Sequence, residues 1–294
     1  MVSAAKGRKE PLEHILIYGP SGLGKTTLAH IISRECGGSI KITSGAALEK
    51  AGDIAAILTN LQDGDVFFID EVHRLNKLIE EVLYPAMENY NLDIVIGKGA
   101  SAKTIQINLP RFTLIAATTR IALLSSPFRS RFGVHYRLDF YSHQDIEKII
   151  ERSAKILNIN LDKEAEKMLA KVSRYTPRIA NKLLKRSRDL AQFRKEKSIN
   201  PEIVGETLKL LDIDYIGLES TDRKILQTII NNFNGGPVGI KTIAASLAEE
   251  EETIEEVFEP YLMQIGFLAR TPKGRIATKL AFDHLKIRGQ PKII

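Results

Sequence analysis

The stretch HILIYGPSGLGKTTLAH, residues 14–30, leaves the chain little choice of fold. A short apolar run is followed by G-x-x-x-x-G-K-[ST], Gly19 to Thr26, and then by a helix with apolar spacing over 26–36. Glycines let backbone N–H groups turn inward around phosphate oxygens, and the helix N-terminus adds a positive dipole. The loop therefore has to leave a strand at the edge of an open α/β sheet where ligands bind. The nucleotide-binding set read from it is Gly19, Gly22, Leu23, Gly24, Lys25, Thr26 and Thr27. Lys25 is expected to reach the β- and γ-phosphates of ATP, and Thr26 to ligate Mg²⁺.

HILIY (14–18) reads as a short buried strand, and three further apolar runs, SIKIT (39–43), DVFFID (65–70) and FTLIAATT (112–119), read as strand candidates alternating with helical stretches. That alternation predicts an α/β fold with a parallel sheet covered on both faces. DVFFID carries Asp70 and Glu71 at its end. Asp70 is expected to hold Mg²⁺ through water, and Glu71 to orient and deprotonate an attacking water. His73 nearby is read as a local packing or hydrogen-bonding residue. Thr118 and Thr119 end another strand at the same edge, and Thr119 is taken as the residue that contacts the γ-phosphate or the water. Between these strands, LDIVIGKGASAKTIQINL (92–109) alternates in two halves around GKGAS, a β-hairpin pattern.

From about 143 only helical patterns occur: QDIEKIIERSAKIL, DKEAEKMLAKVSR, PRIANKLLKRSRDLAQF and PEIVGETLKLL. The final part reads as three helices, then two short strands around a Pro-Lys-Gly turn, which is a winged helix. The expected domains are an ATPase core over 1–142, a helical lid over 143–214 and a winged helix over 215–294. EEEETIEE (249–256) is expected to be a solvated helix start, with acids at the positive end of the dipole.

Charge is informative mainly through its placement. The net charge is +6, but from Arg270 onward seven basic residues face a single acid, Asp283. Such an excess is a footprint for a polyanion or simply a solvated basic tail. No apolar run is long enough for a bilayer, and the N-terminus has no hydrophobic stretch suited to a secretory signal. The lone Cys36 excludes an internal disulfide, and is expected to be a buried structural thiol. A cytoplasmic protein fits these features. LLSSPFRSRFG (123–133) places Arg129 and Arg131 behind a proline, and the residues alone leave surface and function both open.

Longer stretches carry a resemblance. GPSGLGKTTLAH, TSGAALEKAGDIAAILTNL, FIDEVHRL, EEVLYPAMENYNLDIVIGKG, FTLIAATTR, SRFG, TPRIANKLLKR, GGPVG and EPYLMQIGFLARTPKGR, in this order, resemble the RuvB family of Holliday-junction branch-migration motors, of the AAA+ class. The resemblance runs from about residue 12 to about 286 and implies an ATP-driven motor working as a homo-oligomeric, hexameric ring on duplex DNA. It implies that Arg131 of SRFG is a finger entering the neighbouring subunit's site, with Arg129 a structural or interface residue. It also implies that Arg178 of TPRIA contacts the γ-phosphate from the helical lid, and that Tyr141 lies near the base. The 92–109 hairpin would dock RuvA through Leu92, Ile94, Ile96, Ile105 and Ile107, although one face must also pack at home. Arg270, Lys273 and Arg275 of the wing would contact DNA phosphates.

The sequence also departs from that family. Ser21 stands for the second proline of the P-loop, Ala46 for a proline, and Tyr175 for the glycine before TPR. The family carries a further N-terminal segment that wraps the adenine, whereas Met1 stands directly ahead of the domain here, so a shortened pocket is expected. A clamp-loader-like ATPase and a nucleotide-weak DNA-binding subunit are the competing readings. The hairpin and winged helix speak against the first, and DNA-stimulated turnover would exclude the second.

Overall fold

The structure, a computed structural model, describes residues 2–8, 10–96 and 103–286. Two compact units divide the chain: one runs to Gly19 and resumes over Gly24–Asp139, and the other takes Pro20–Leu23 together with the chain from Phe140 onward.

The first unit opens with helix α1 (Val2–Arg8), which no sequence pattern had announced, and strand β1 (Ile15–Tyr18). It continues through α2 (Lys25–Cys36), β2 (Ile40–Ser44), α3 (Ala51–Thr59), β3 (Val66–Asp70) and α4 (Lys77–Asn89). A hairpin of β4 (Asn91–Ile96) and β5 (Lys103–Asn108) follows, then β6 (Thr113–Thr118), α5 (Ser126–Arg129) and β7 (Val134–Arg137). Five strands form one parallel sheet in the order β2-β3-β6-β1-β7.

Alternation along each strand explains the continuous apolar runs. Leu16, Phe67, Ile69, Leu114 and Ala116 bury themselves in the core on one face. Their neighbours Ile15, Ile17, Val66, Phe68, Ile115 and Ala117 enter a second core with Ala29 and Ile32 of α2. A strand buried on both faces has no polar side to show. Edge strand β7 (VHYR) was not expected, because four mostly exposed residues with only Val134 and Tyr136 apolar give a weak signal. It joins the sheet through pairing with β1, Ile15 opposite Val134 and Tyr18 opposite Arg137. Cys36, at the end of α2, is half-buried rather than buried.

The hairpin is present and antiparallel, with Leu92 opposite Ile107 and Ile94 opposite Ile105. Leu92, Ile105 and Ile107 share one face, since directly opposed residues point the same way and i, i+2 neighbours do too. At the base of that face Leu92 is buried and Ile107 packs on the core, whereas Ile105 is 47% exposed. The turn GKGAS lies outside the described residues.

The second unit has two hydrophobic cores. Helices α6 (His143–Ile156), α7 (Lys163–Val172), α8 (Pro177–Arg194) and α9 (Pro201–Leu210) build the first around Ile146, Ile150, Leu169, Leu183, Leu184 and Val204. Ser142 and Asn200 cap α6 and α9 by accepting the N–H of Asp145 and Ile203, which fixes where each helix begins. The second core gathers α10 (Ser220–Phe233), α11 (Ile240–Leu247) and a segment made of α12 (Glu251–Thr253), a π turn over Ile254–Phe258 and α13 (Glu259–Gln264). Strands β8 (Leu268–Thr271) and β9 (Gly274–Ala277) then form the antiparallel wing, and α14 (Lys279–Leu285) follows.

Arg174 ties these two cores together. Its guanidinium forms a two-pronged pair with Asp222, both bonds 3.1 Å, and lies 4.5 Å from the centre of the Tyr261 ring. Burial pushes the Asp222 carboxyl up to about 6, against the lowering effect of Arg174. Tyr175, next in the chain, has φ 56°, a left-handed conformation that glycine adopts at little cost. This accounts for the glycine that the resemblance expects there. The tyrosine offsets its backbone strain by placing its ring 4.7 Å from His143 and 6.3 Å from Tyr261.

In the first unit His14 plays a comparable part. Its Nδ1 accepts the backbone N–H of Leu114 at 2.8 Å, so the proton sits on Nε2 and is donated to the Met87 carbonyl at 3.0 Å. One neutral ring thus joins the start of β1, the end of α4 and β6. Burial holds its pKa below the ordinary 6.5, with the Met87 bond opposing. Below pH 6.5 the unfolded chain takes up a proton that the folded ring refuses, so stability falls as pH drops from that value. The melting temperature should therefore decline from pH 7.5 to pH 5.5. His14→Gln should show a smaller decline, although it melts lower at pH 7.5; equal declines would remove His14 as the cause.

Candidate functional site

The phosphate loop starts where β1 ends. The Gly19 N–H donates to Thr118 of neighbouring β6 at 3.2 Å. On its other side the backbone is so close that a Cβ on Gly19 would lie 2.2 Å from the Leu138 carbonyl oxygen, at a φ of 144°. No other residue type fits there. α2 begins at Lys25 without a side-chain cap on Gly24, so its first N–H groups are not taken by a capping side chain. Lys25 is 9% exposed and its Nζ donates to the Gly19 carbonyl at 2.9 Å, spanning the loop.

At the same sheet edge, the Thr26 hydroxyl donates to Asp70 Oδ2 at 3.3 Å. Asp70 ends β3, and its Oδ1 accepts the Glu71 N–H at 3.0 Å. Glu71 itself turns left-handed, at φ 48° and ψ 47°, which lifts an exposed carboxylate off the strand direction. A non-glycine residue held in this region is strained, and such strain gathers at functional sites. Gly45 allows the turn, since a Cβ there would lie 2.5 Å from the Glu71 carbonyl. Arg74 Nη1 stands 3.5 Å from Glu71 Oε2. Thr118 is fully buried, and its hydroxyl meets His73 Nδ1 at 2.9 Å while accepting the Arg120 N–H at 2.9 Å. That gives His73 the local hydrogen-bonding part expected of it. Thr119 is the next residue beyond β6 and is half-buried.

Arg131 lies just past α5. Its guanidinium stacks 4.0 Å from the centre of the Tyr84 ring, donates to the Pro127 carbonyl at 2.6 Å and pairs with Glu88 at 3.1 Å. Tyr84 is held in turn by buried Glu80, which accepts from the Tyr84 hydroxyl at 3.2 Å and from Ser125 at 2.6 Å. Ser125 also caps α5. The arginine is legible in the sequence, but its seat is not. The signal available was the spacing of Glu80, Tyr84 and Glu88, four apart on one face of α4.

Pro20–Leu23 belong to the second unit, where they meet Arg178 and Tyr141. Arg178 follows Pro177 at the start of α8, and its N–H donates to the Gly22 carbonyl at 3.3 Å. Its Nη1 donates to the Ser21 hydroxyl at 3.0 Å. The Tyr141 hydroxyl donates to the Leu23 carbonyl at 3.4 Å. A cavity of about 260 Å³ is lined by Ser21, Gly22, Thr176, Arg178 and Lys182 among others.

The wing separates its three basic residues. Arg270 is 57% exposed in its side chain, 3.6 Å from Glu255, and Lys273 is exposed at the turn. Arg275 is 6% exposed, with bonds of 2.5 and 3.2 Å to Glu259 and 2.7 Å to Glu255. The expectation of a phosphate contact at Arg275 therefore gives way to a structural role, because two carboxylates already neutralise a withdrawn guanidinium. Of the acidic run, Glu255 does more than start a solvated helix: with Glu259, which lies beyond the run and four residues on, it grips the wing. Removing one partner of a buried pair leaves the other charge uncompensated, at about 3–5 kcal/mol. Arg275→Ala should accordingly lower the melting temperature by several degrees, whereas Arg270→Ala and Lys273→Ala should leave it within a degree or so; equal melting of all three would refute the structural role.

Comparison with known proteins fits these parts. Residues 1–138 match the Holliday junction DNA helicase RuvB P-loop domain, residues 141–214 the RuvB AAA lid domain, and residues 215–286 the RuvB C-terminal winged helix domain. The chain is 58% identical over 283 residues to the Holliday junction branch migration complex subunit RuvB of Clostridium kluyveri, covering 96% of this chain and 81% of that protein. Among solved structures, the Thermotoga maritima RuvB Holliday junction branch migration motor superposes with a TM-score of 0.90 at 52% identity, over 98% of this chain and 92% of that one. A mutant of the same Thermotoga protein gives 0.91 at 51% identity, with the same coverage. With phosphate loop, lid and winged helix all matched in order, the chain belongs to the RuvB family of Holliday-junction branch-migration helicases.

Proposed function

We propose that this chain hydrolyses ATP to drive duplex DNA through a Holliday junction. The observation that carries the reading is the pairing of Thr26 with Asp70 at 3.3 Å beside Lys25 and the strained Glu71, on a chain whose three domains all match the family. Lys25 and the loop amides suit a triphosphate, and the uncapped start of α2 favours its charge. Thr26 and Asp70 offer the hard oxygen donors that Mg²⁺ requires, and the bound ion would offset phosphate charge. Glu71 is placed to orient and deprotonate the attacking water, with Thr119 at the end of β6 on the same edge. Arg178 acts as the γ-phosphate contact from α8, and Tyr141 as a residue near the base.

Arg131 is the finger of a ring. The guanidinium rests on Tyr84, the Pro127 carbonyl and a half-exposed Glu88; an ion pair of this last kind is worth about 0–1 kcal/mol, and a neighbouring copy's phosphate, carrying more charge, replaces these holds. The ring is hexameric in this reading. The upper part of the hairpin, where Ile105 is exposed and opposite Ile94, suits docking on RuvA, while its base packs at home. Arg270 and Lys273 contact phosphates without reading sequence, as a motor moving along any duplex requires. A motor of this kind works where the DNA is, hence in the cytoplasm; among the described residues no helix is long and apolar enough to cross a membrane.

Turnover should be DNA-stimulated, and Arg131→Ala should lower it by about 10³-fold or more while nucleotide affinity changes little. Glu71→Gln should be equally inactive. Mixing the two variants should restore part of the activity, because some seams then join an intact Arg131 to an intact Glu71; a dead mixture would place the arginine in its own subunit's site. DNA affinity should fall steeply with salt, and Arg270→Ala or Lys273→Ala should each flatten the log–log slope by about one.

A further inference from the structure

Ser21 lies in the phosphate loop, and it is the residue that the Arg178 side chain touches. The serine supplies a hydroxyl 3.0 Å from Arg178 Nη1, in a segment already fastened to α8 by the Arg178 N–H bond to the Gly22 carbonyl at 3.3 Å. The Cβ of Arg178 is crowded against the same loop, 3.1 Å from where a Gly22 Cβ would stand. The backbone of Arg178 is thus fixed at the loop, and only its side chain has to swing to change partners.

We propose that Ser21 is a positioning residue that holds Arg178 whenever no γ-phosphate is present, and that it thereby sets how strongly the chain prefers the triphosphate to the diphosphate. The inference rests on the reading of Arg178 as the γ-phosphate contact. A neutral hydroxyl is a weaker acceptor for a guanidinium than a phosphate oxygen, so Ser21 yields when the triphosphate arrives. The bond exists in the empty and the diphosphate states and is broken only on triphosphate binding. A contact that differs between two ligand states shifts their relative affinity, and one common to both shifts nothing. Ser21 therefore weakens triphosphate binding and leaves diphosphate binding alone.

The test is titration of the full chain, with Mg²⁺ present, with ADP and with an ATP analogue that resists hydrolysis. Ser21→Ala should tighten the analogue by about two- to fivefold, the worth of one exposed charge-assisted hydrogen bond, and leave ADP affinity unchanged. Ser21→Thr, which keeps the hydroxyl, should behave as the parent does. In an Arg178→Ala background, Ser21→Ala should have no effect on either ligand. Equal shifts for both ligands would mean a merely structural effect on the loop and would overturn the proposal, as would no shift at all while Arg178→Ala by itself weakens the analogue. If Arg178→Ala leaves analogue affinity intact, the γ-phosphate role of Arg178 falls, and the Ser21 proposal with it. No binding of either nucleotide to the parent chain would instead overturn the ATPase reading as a whole.

Discussion

Everything at this site depends on how closely two neighbouring strands grip the end of β1. Gly19 is bonded to Thr118 on one side and pressed against the Leu138 carbonyl on the other, with no room for a side chain. That double hold fixes the direction in which the loop leaves the sheet. It also fixes the direction of α2, and so places Lys25 and Thr26. Because β3 is only one strand beyond β6, Asp70 then arrives within a hydrogen bond of Thr26. The register of buried strands, set by apolar side chains alternating between two cores, is what brings the polar groups together.

The arginines show how burial sorts charges by use. Arg174 and Arg275 lie against carboxylates in nearly dry surroundings, where separating the pair would strand a charge at a cost of several kcal/mol. They hold the second unit together and cannot be borrowed. Arg178 rests on a neutral hydroxyl, and Arg131 on an aromatic face and a carboxylate that is half exposed. Each such contact is worth about 1 kcal/mol, enough to orient a side chain and less than a phosphate offers a guanidinium. The same residue type therefore serves as fastener or as tool, according to the dielectric around it and the charge of its partner.

Much of the arrangement was legible in advance. Strands β1, β2, β3 and β6 declared themselves through apolar runs, the four helices from His143 to Leu210 through their periodicity, and the wing through its turn. β7 and α1 gave no such sign. The stretch VHYR alternates, but over only four residues with two apolar side chains, and it becomes a strand because the edge of β1 has unpaired backbone groups to satisfy. For the site, Lys25, Thr26, Asp70 and Glu71 could be named from spacing. Arg275 could not be told from Arg270, since both sit in one basic stretch and only the opposing helix face of Glu255 and Glu259 distinguishes them.

The sequence by itself determined the phosphate loop, the parallel sheet that must present it, and the order of core, helical segment and winged helix. Those features are local or periodic, so a short window of residues specifies each one. Tertiary structure alone decided which hydroxyl Arg178 would rest on, that Tyr175 would bend left-handed against His143 and Tyr261, and that Arg275 would turn inward. Each of those outcomes joins residues far apart in the chain, and its energy comes from desolvation and partner geometry that exist only once the chain has folded.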